Sequence, residues 1–521
     1  MDIPNLFIKA VTSLISAGLS FAPVANLINP IYKVQNPGQG IQKIASCTDL
    51  KARIANAQTA NMGRGIFNTK SLALPTAMPM MAASGAAEDN SADYSTTNVQ
   101  VEGVDEADLV KIDGSYAYHL SNNQLLISRI APANQAKLVS TTKLEDGFYA
   151  QDLYVEKDRV MVIGNKYENQ VYPMPMLRNN AIGKALMPQW RSNNVTVAQV
   201  WNISDRSKPK MLRTVEFDGS IASSRMISGN VYLIMNSYSP YDPLSLQAKE
   251  GDLVPAFKDS KAGKTFKAMG GCADVLYYDP QPSRDFLVVA SLPISGQGTI
   301  NRKLILGTGQ TIYSSTDNLY VARQEYVSNP VRDSLNPDSW NTQKTVVYKF
   351  AIKNGQINYK AQSSVPGTLL NQFSMDEYKG NLRLATTKGQ VWDSRVPSTN
   401  NVYVLSSDMK LTGTLEGMAP GEKIYSVRFM GDRGYVVTFK KVDPLFVLDL
   451  SDAFKPSILG KLKIPGYSDY LHPMDATHII GVGKNASDAP EQSFAWYQGI
   501  KMAVFDVSDV ANPKEMYKVD I

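Results

Sequence analysis

Acidic side chains crowd a few short stretches of this 521-residue chain, and any chemistry it performs would have to start there. Asp105-Glu106-Ala107-Asp108 is the densest stretch, with Asp113 close behind. Asp152 and the pair Asp376-Glu377 stand at comparable places further on, and His472, Asp475 and His478 fall close together. Carboxylates converging on one rim would suit Ca²⁺, a hard cation that takes six to eight oxygens. Their spacing is not that of an EF-hand loop. A histidine beside an aspartate would suit general acid–base work in a hydrolase or lyase. The structural account is simpler: each acid caps a turn or pairs with a Lys or Arg nearby, and each histidine is a hydrogen-bonded loop residue. Repetition at equivalent positions favours that account. Asp105, Glu106, Asp108, Asp376 and Glu377 are therefore the candidate binding residues. His472, Asp475 and His478 are the candidate catalytic ones, and Ca²⁺ is the candidate ion.

Other chemistry is excluded by what the chain lacks. It has no Gly-x-Ser-x-Gly elbow, no Gly-x-Gly-x-x-Gly after a strand and no phosphate loop. Gly263-Lys264-Thr265 imitates the last of these, but Lys258 occupies the place of its first glycine. Two cysteines and three histidines make a poor zinc set. Under oxidising conditions Cys47 and Cys272 would form one disulfide fastening an N-terminal segment to the body. Two buried thiols are the equal alternative.

The elements that position these residues follow from composition and pattern. Hydrophobic residues are 43% and charged residues 19% of the chain, enough for a full core and contrary to global disorder. A net charge of +5 is too mild and too evenly spread for a nucleic-acid partner. No series of long apolar stretches marks a multi-span membrane protein.

Residues 10–24 are an apolar run broken by Gly18 and Pro23, too short and interrupted for a confident membrane span. The length suits the core of a secretory signal within 1–25, and Ala22-Pro-Val-Ala25 supplies small residues for cleavage. Asp2 and a lone Lys9 are a weak basic flank for that role. Within an N-terminal segment 26–60, the stretch 47–60 reads as a short helix capped by Thr48 or Asp49. Leu50, Ile54 and Ala57 share one face of it. Residues 61–95, rich in Ala, Ser, Met and Pro without period, read as a linker.

From 96 to 521 the texture becomes short β-branched and aromatic runs between turn residues. VWNISDRSKPK (200–210), VLDLSDAFKPS (447–457) and VFDVSDVANPK (504–514) share one hairpin pattern, with Ser-Asp side chains capping the turn and proline opening the return strand. A second pattern, strand, tight turn, aromatic strand, recurs near 107–120, 151–164, 223–235, 311–323, 373–387, 424–439 and 470–483. Asp113-Gly114, Gly229-Asn230, Lys379-Gly380 and Asp432-Arg433-Gly434 are its turns. Seven units, each long enough for four strands, describe an all-β propeller of seven four-stranded blades. Polar stretches at 166–192, 240–270, 328–343 and 485–498 read as loops on one rim.

TNVQVEGVDEADLVKIDGSYAY (97–118), FSMDEYKGNLRLATT, YLHPMDATHIIGVG and FDVSDVANPKE resemble secreted bacterial and archaeal proteins with a C-terminal β-propeller domain distantly related to WD-40 repeats. SCTDL (46–50) and GCADVLYY (271–278) resemble that family too and include both cysteines. The resemblance covers about 46–60 and 97–521. It implies an exported protein, secreted, periplasmic or on the cell surface, with a propeller body of seven or eight blades; it implies little about activity. The family runs on past the last Ser-Asp…Pro turn, so the ring is expected either to lack a final blade or to close with seven, 97–104 supplying the closing strand. The function expected is an extracytoplasmic binding scaffold presenting a loop-decorated face to a protein or saccharide, without nucleic acid.

Overall fold

Seven tight reversals organise the chain. At Ser228-Gly229 and Lys379-Gly380 both turn residues take positive φ (47° and 70°; 50° and 77°), the geometry that matches the twist of the strands it joins. Each of the seven expected hairpins forms, and each begins a four-stranded antiparallel blade in simple sequence order. The computed structural model describes residues 41–62, 99–167, 171–173, 188–190, 194–239, 250–278, 283–327, 342–391, 397–439, 443–464, 466–488 and 495–521. The signal-like segment expected at 1–25 and all but the first two residues of the linker expected at 61–95 lie outside these. Among the described residues no helix is long and apolar enough to cross a membrane.

Blade one comprises Val110–Ile112, Tyr116–Ser121, Gln124–Arg129 and Lys137–Lys143. Blade two comprises Phe148–Glu156, Arg159–Tyr167, Asn194–Asn202 and Lys210–Asp218. Blade three uses Ser220–Ile227, Asn230–Ser237, Phe286–Pro293 and Asn301–Leu306; blade four uses Thr311–Ser314, Asn318–Val327, Thr342–Lys353 and Gln356–Pro366. Met375–Tyr378, Asn381–Lys388, Thr399–Leu405 and Leu411–Met418 make blade five. Blade six is Lys423–Met430, Arg433–Phe439, Asp443–Asp449 and Ser457–Ile464. Blade seven is Tyr467–Pro473, His478–Asp488, Ala495–Asp506 and Lys514–Asp520. The first strand of each is its inner strand.

Strand alternation gives each blade two faces, and apolar side chains bury them pairwise. Tyr118 and Ile127 meet Val160 and Val197 between blades one and two. Met161 and Phe217 meet Leu233 and Val288 next. Tyr232 and Val289 then meet Val346 and Phe350, and Tyr313 and Val347 meet Leu384 and Tyr403. Val402 meets Val436 and Leu448 between five and six, and Val447 meets Ile479 and Phe505 between six and seven. Among the described residues no such cluster joins blade seven to blade one. On blade seven the cross-strand neighbours Met502 and Val519 are exposed, as is Tyr517; on the blade-one side Val110 and Leu138 are exposed.

Four expectations are corrected. The stretch 240–270 is not simply a rim loop: Ala256–Asp259 pairs with the outer strand of blade two, and Lys267–Ala268 pairs with it in turn. Arg213 anchors that extension through buried Asp259, with Nε and Nη2 donating at 3.0 and 2.7 Å. Within 485–498 the described residues 485–488 and 495–498 are strand, since the middle hairpin of blade seven extends into them; residues 489–494 and 328–341 lie outside the described set. Blade seven takes no strand from 97–104. Finally, the repeated turn is capped less by serine than by Asn or Asp. Asn202, Asp449 and Asp506 accept the N–H of the Ser two residues on, at 2.9, 3.0 and 2.9 Å. Asp205, Asp452 and Asp509 do the same for the residue two further along. The short acidic side chain reaches its own turn's N–H groups, whereas a serine hydroxyl does so more weakly.

The helix α1 (Cys47–Met62) buries Leu50, Ile54 and Ala57, the first two within the core cluster that includes blade three. Its cap differs from the expected one. Ser46 Oγ accepts the Asp49 N–H at 3.1 Å, and the Asp49 carboxylate accepts the Ala45 N–H. Gln42–Lys43 adds a strand to Val275–Tyr277, and Cys47 is disulfide-bonded to Cys272.

Candidate binding site along the inner strands

One register position recurs in all seven blades. The residue of the inner hairpin opposite the third residue of the second strand is, in order, Lys111, Tyr154, Arg225, Tyr313, Asp376, Arg428 and His472. Inner strands line the centre of a propeller, so the fold delivers one side chain per blade at one level. The facing residue is tyrosine in four blades: Tyr118, Tyr232, Tyr320 and Tyr435.

Residues 99–108 lie along this level as a strap. The Gln100 side chain donates to the carbonyls of Gln372 and Met375 at blade five. Asp105 pairs with Met226 of blade three through both backbone bonds, at 2.8 and 2.9 Å, and Asp108 pairs with Leu153 of blade two. Gly103, at φ +80°, takes the bend past Thr316 of blade four, where any Cβ would press on the threonine methyl. The strap therefore passes blades five to two and leaves the inner strands of six and seven without it.

The expected carboxylates are placed here, and most are already engaged. Lys111 Nζ donates to Asp105 Oδ1 at 2.6 Å and to the Glu106 carbonyl at 2.5 Å. Burial nevertheless raises the Asp105 carboxyl above its ordinary pKa, outweighing Lys111. Glu106 accepts from Gln372 Nε2 at 3.2 Å and lies 3.8 Å from Arg225. Arg225 in turn donates to Gln372 Oε1 at 2.8 Å and Ser223 Oγ at 2.9 Å. Asp108 Oδ1 accepts the Leu109 N–H. Asp376 is held by Arg383, whose Nε donates at 3.0 Å. Glu377 accepts from Ser315 at 2.6 Å and Asn318 at 2.9 Å, tying blade five to the turn of blade four. Asp113 accepts the Tyr118 hydroxyl and Arg206, so that its carboxyl is held low despite partial burial. At Asp152 burial is the main influence, followed by the charge of Asp108, and both raise its pKa.

Among the described residues no three or more His, Cys, Asp or Glu side chains gather as a donor set. The histidines separate into two places. In the exposed turn of blade seven, His478 Nδ1 and Asp475 Oδ2 are 2.9 Å apart; bonds from the Thr477 N–H and then His478 pull the Asp475 carboxyl down to about 2. His472 points elsewhere: its Nδ1 shares a 3.1 Å bond with the Tyr470 hydroxyl, and burial followed by the charge of Arg428 lowers its pKa.

Sequence reasoning missed the basic and aromatic members. Arg428 lies over the Phe373 ring at 5.6 Å, Phe373 packs edge-on against Tyr470 at 5.8 Å, and Tyr470 neighbours His472. The third-residue register was the signal for Arg428; Phe373 and Tyr470 stand outside that register.

The family described as beta propeller domain has a model that matches residues 94–521. An uncharacterised protein of Methanocaldococcus jannaschii is 30% identical over 501 residues, covering 82% of this chain and 70% of that protein. An uncharacterised protein of Archaeoglobus fulgidus is 27% identical over 577 residues, covering 98% and 84%. Among solved structures, a hypothetical selenium-binding protein from Sulfolobus tokodaii aligns with a TM-score of 0.32 at 11% identity, over 80% of this chain and 91% of that one.

Proposed function

From the premise that this chain belongs to the beta-propeller domain family, we propose that it is an extracytoplasmic binding scaffold. Its inner-strand level and surrounding loops receive a protein or saccharide partner. The observation that carries this reading is the seven-blade register position, which delivers Lys111, Arg225, Asp376, Arg428 and His472 to one level on a rigid framework. Rigid strands present such groups without an ordering cost on binding. The address is supported by the signal-like run at 10–24 and by a disulfide, a bond that persists under oxidising conditions.

Fractionation of cells expressing the full-length tagged chain tests the address: recovery outside the cytoplasm is expected, and wholly cytoplasmic retention overturns it. Screening immobilised saccharides and cell-surface proteins with the purified chain tests the binding. Retention that is lost in Arg225→Glu is expected; retention unaffected by that change refutes the inner-strand site. A hydrolase or lyase using these carboxylates and a histidine is the rival reading, and the His478–Asp475 contact is its one support. Turnover of a retained saccharide that disappears in His478→Asn would replace the binding reading with that one.

A further inference from the structure

The cations at the inner-strand level are not equivalent. Lys111 has Asp105, Arg383 has Asp376, and Arg225 has Gln372 with Glu106 beyond it. Arg428 is the exception: among the described residues its guanidinium has neither a hydrogen-bonded nor an ion-paired partner, although it is only partly exposed. Its charge is held in place by the Phe373 face, and Phe373, Tyr470 and His472 stand round it. The strap meets blades two, three and five, and among the described residues it makes no hydrogen bond to the inner strands of blades six and seven. Asp376 and Glu106, the carboxylates whose charges act on Arg428, are bound to Arg383 and to Gln372 respectively.

We propose that Arg428 is the anchor of a site for a hydroxylated organic carboxylate, of the kind a hexuronate presents, bounded by Phe373, Tyr470 and His472. A guanidinium fits a carboxylate with two parallel N–H donors, and a pair formed away from bulk water gains more than an exposed one. The aromatic edge between Phe373 and Tyr470 gives a flat apolar wall for the ligand's C–H face. With Nδ1 of His472 occupied by Tyr470, the remaining ring nitrogen is available to a ligand hydroxyl. Asp376 and Glu106 lie near enough to oppose a second negative charge, so a monocarboxylate is favoured over a dicarboxylate. This inference rests on the reading of the chain as a binding protein and names the ligand class for the inner-strand level.

Titration calorimetry on the full disulfide-bonded chain tests it, with D-galacturonate and its trimer as probes. Glucose and maltotriose serve as neutral controls, and benzoate serves as a carboxylate without hydroxyls. Binding of the uronates, not of the neutral sugars, and at least tenfold weaker binding in Arg428→Gln are expected, since a hydrogen bond to a charged group contributes about 1.5–3 kcal/mol. Arg428→Lys should recover part of the loss. His472→Gln, which keeps a polar group, guards against a folding defect at Arg428 and should weaken the uronate several-fold. Equal binding of glucose, or uronate binding unchanged in Arg428→Gln, overturns the site. Benzoate binding as tightly as galacturonate overturns the hydroxylated class. No uronate binding at millimolar concentration, beside retention of another partner that Arg225→Glu abolishes, sinks this inference and leaves the binding reading standing.

Discussion

Cys47 and Cys272, 225 residues apart in the chain, are bonded with their Cα atoms 5.1 Å apart, so that helix α1 is fastened to the loop that edges blade three. The bond reinforces a docked edge, where Ile44, Leu50 and Ile54 are buried and Gln42–Lys43 pairs with Val275–Tyr277. Reduction, or Cys272→Ser, is expected to cost about 2–4 kcal/mol of stability. It should also expose residues near 43–50 to protease while the blades persist. Urea unfolding with and without reductant checks this; identical midpoints would refute the fastening role.

The buried pair Arg213–Asp259 secures the extra strand that 256–259 adds to blade two. Arg213→Ala leaves a buried carboxylate without its partner and should cost about 3–5 kcal/mol. Burial would raise the Asp259 carboxyl, but the bonds from Arg213 and the Lys261 N–H hold it below its ordinary value. A depressed folded-state pKa gives stability that is complete above the unfolded pKa and lost as pH falls through the folded one. Wild type should therefore lose more stability than Asp259→Asn on acidification from pH 5 to pH 2, as read by urea midpoints. Parallel losses would contradict the assignment.

Asp152 has the opposite sign. Its raised carboxyl pKa penalises the folded state once the group ionises, and the penalty vanishes below the unfolded pKa. Asp152→Asn is thus expected to stabilise the protein at pH 7 and to make little difference at pH 3. A variant less stable than wild type at pH 7 would show that the carboxylate has a partner that holds it.

The two faces of blade seven should respond differently to substitution. Phe505 is fully buried against blade six, and Phe505→Ala should cost about 3–5 kcal/mol. Tyr517, on the other face, is 70% exposed, and Tyr517→Ser should fall within about 0.5 kcal/mol. Thermal melts of both variants check the contrast. A large loss at Tyr517 would mean that this face is packed against something in solution.

The hairpins were legible because turn chemistry is local: a glycine at positive φ or an aspartate that caps its own turn leaves its mark within four residues. The blade count followed from repetition of that mark. The edge strands Ala256–Asp259 and Lys267–Ala268 were not legible, since two to four residues carry no alternation and the partner of the first lies about 40 residues back. At the inner level, Asp105, Glu106 and Asp376 were found by density, but their role depends on Lys111, Arg225 and Arg383, which no acid-counting rule selects. Phe373 and Arg428 meet across two blades, and nothing in either segment announces the other.

Residues 99–108 leave the ribosome before any of the blades they line. Gln100 must wait for Gln372 and Met375, some 270 residues later, which at about 5–20 residues per second is on the order of tens of seconds. Blades two and three can take up Asp108 and Asp105 as soon as they form, whereas Gln100 stays unseated until blade five follows.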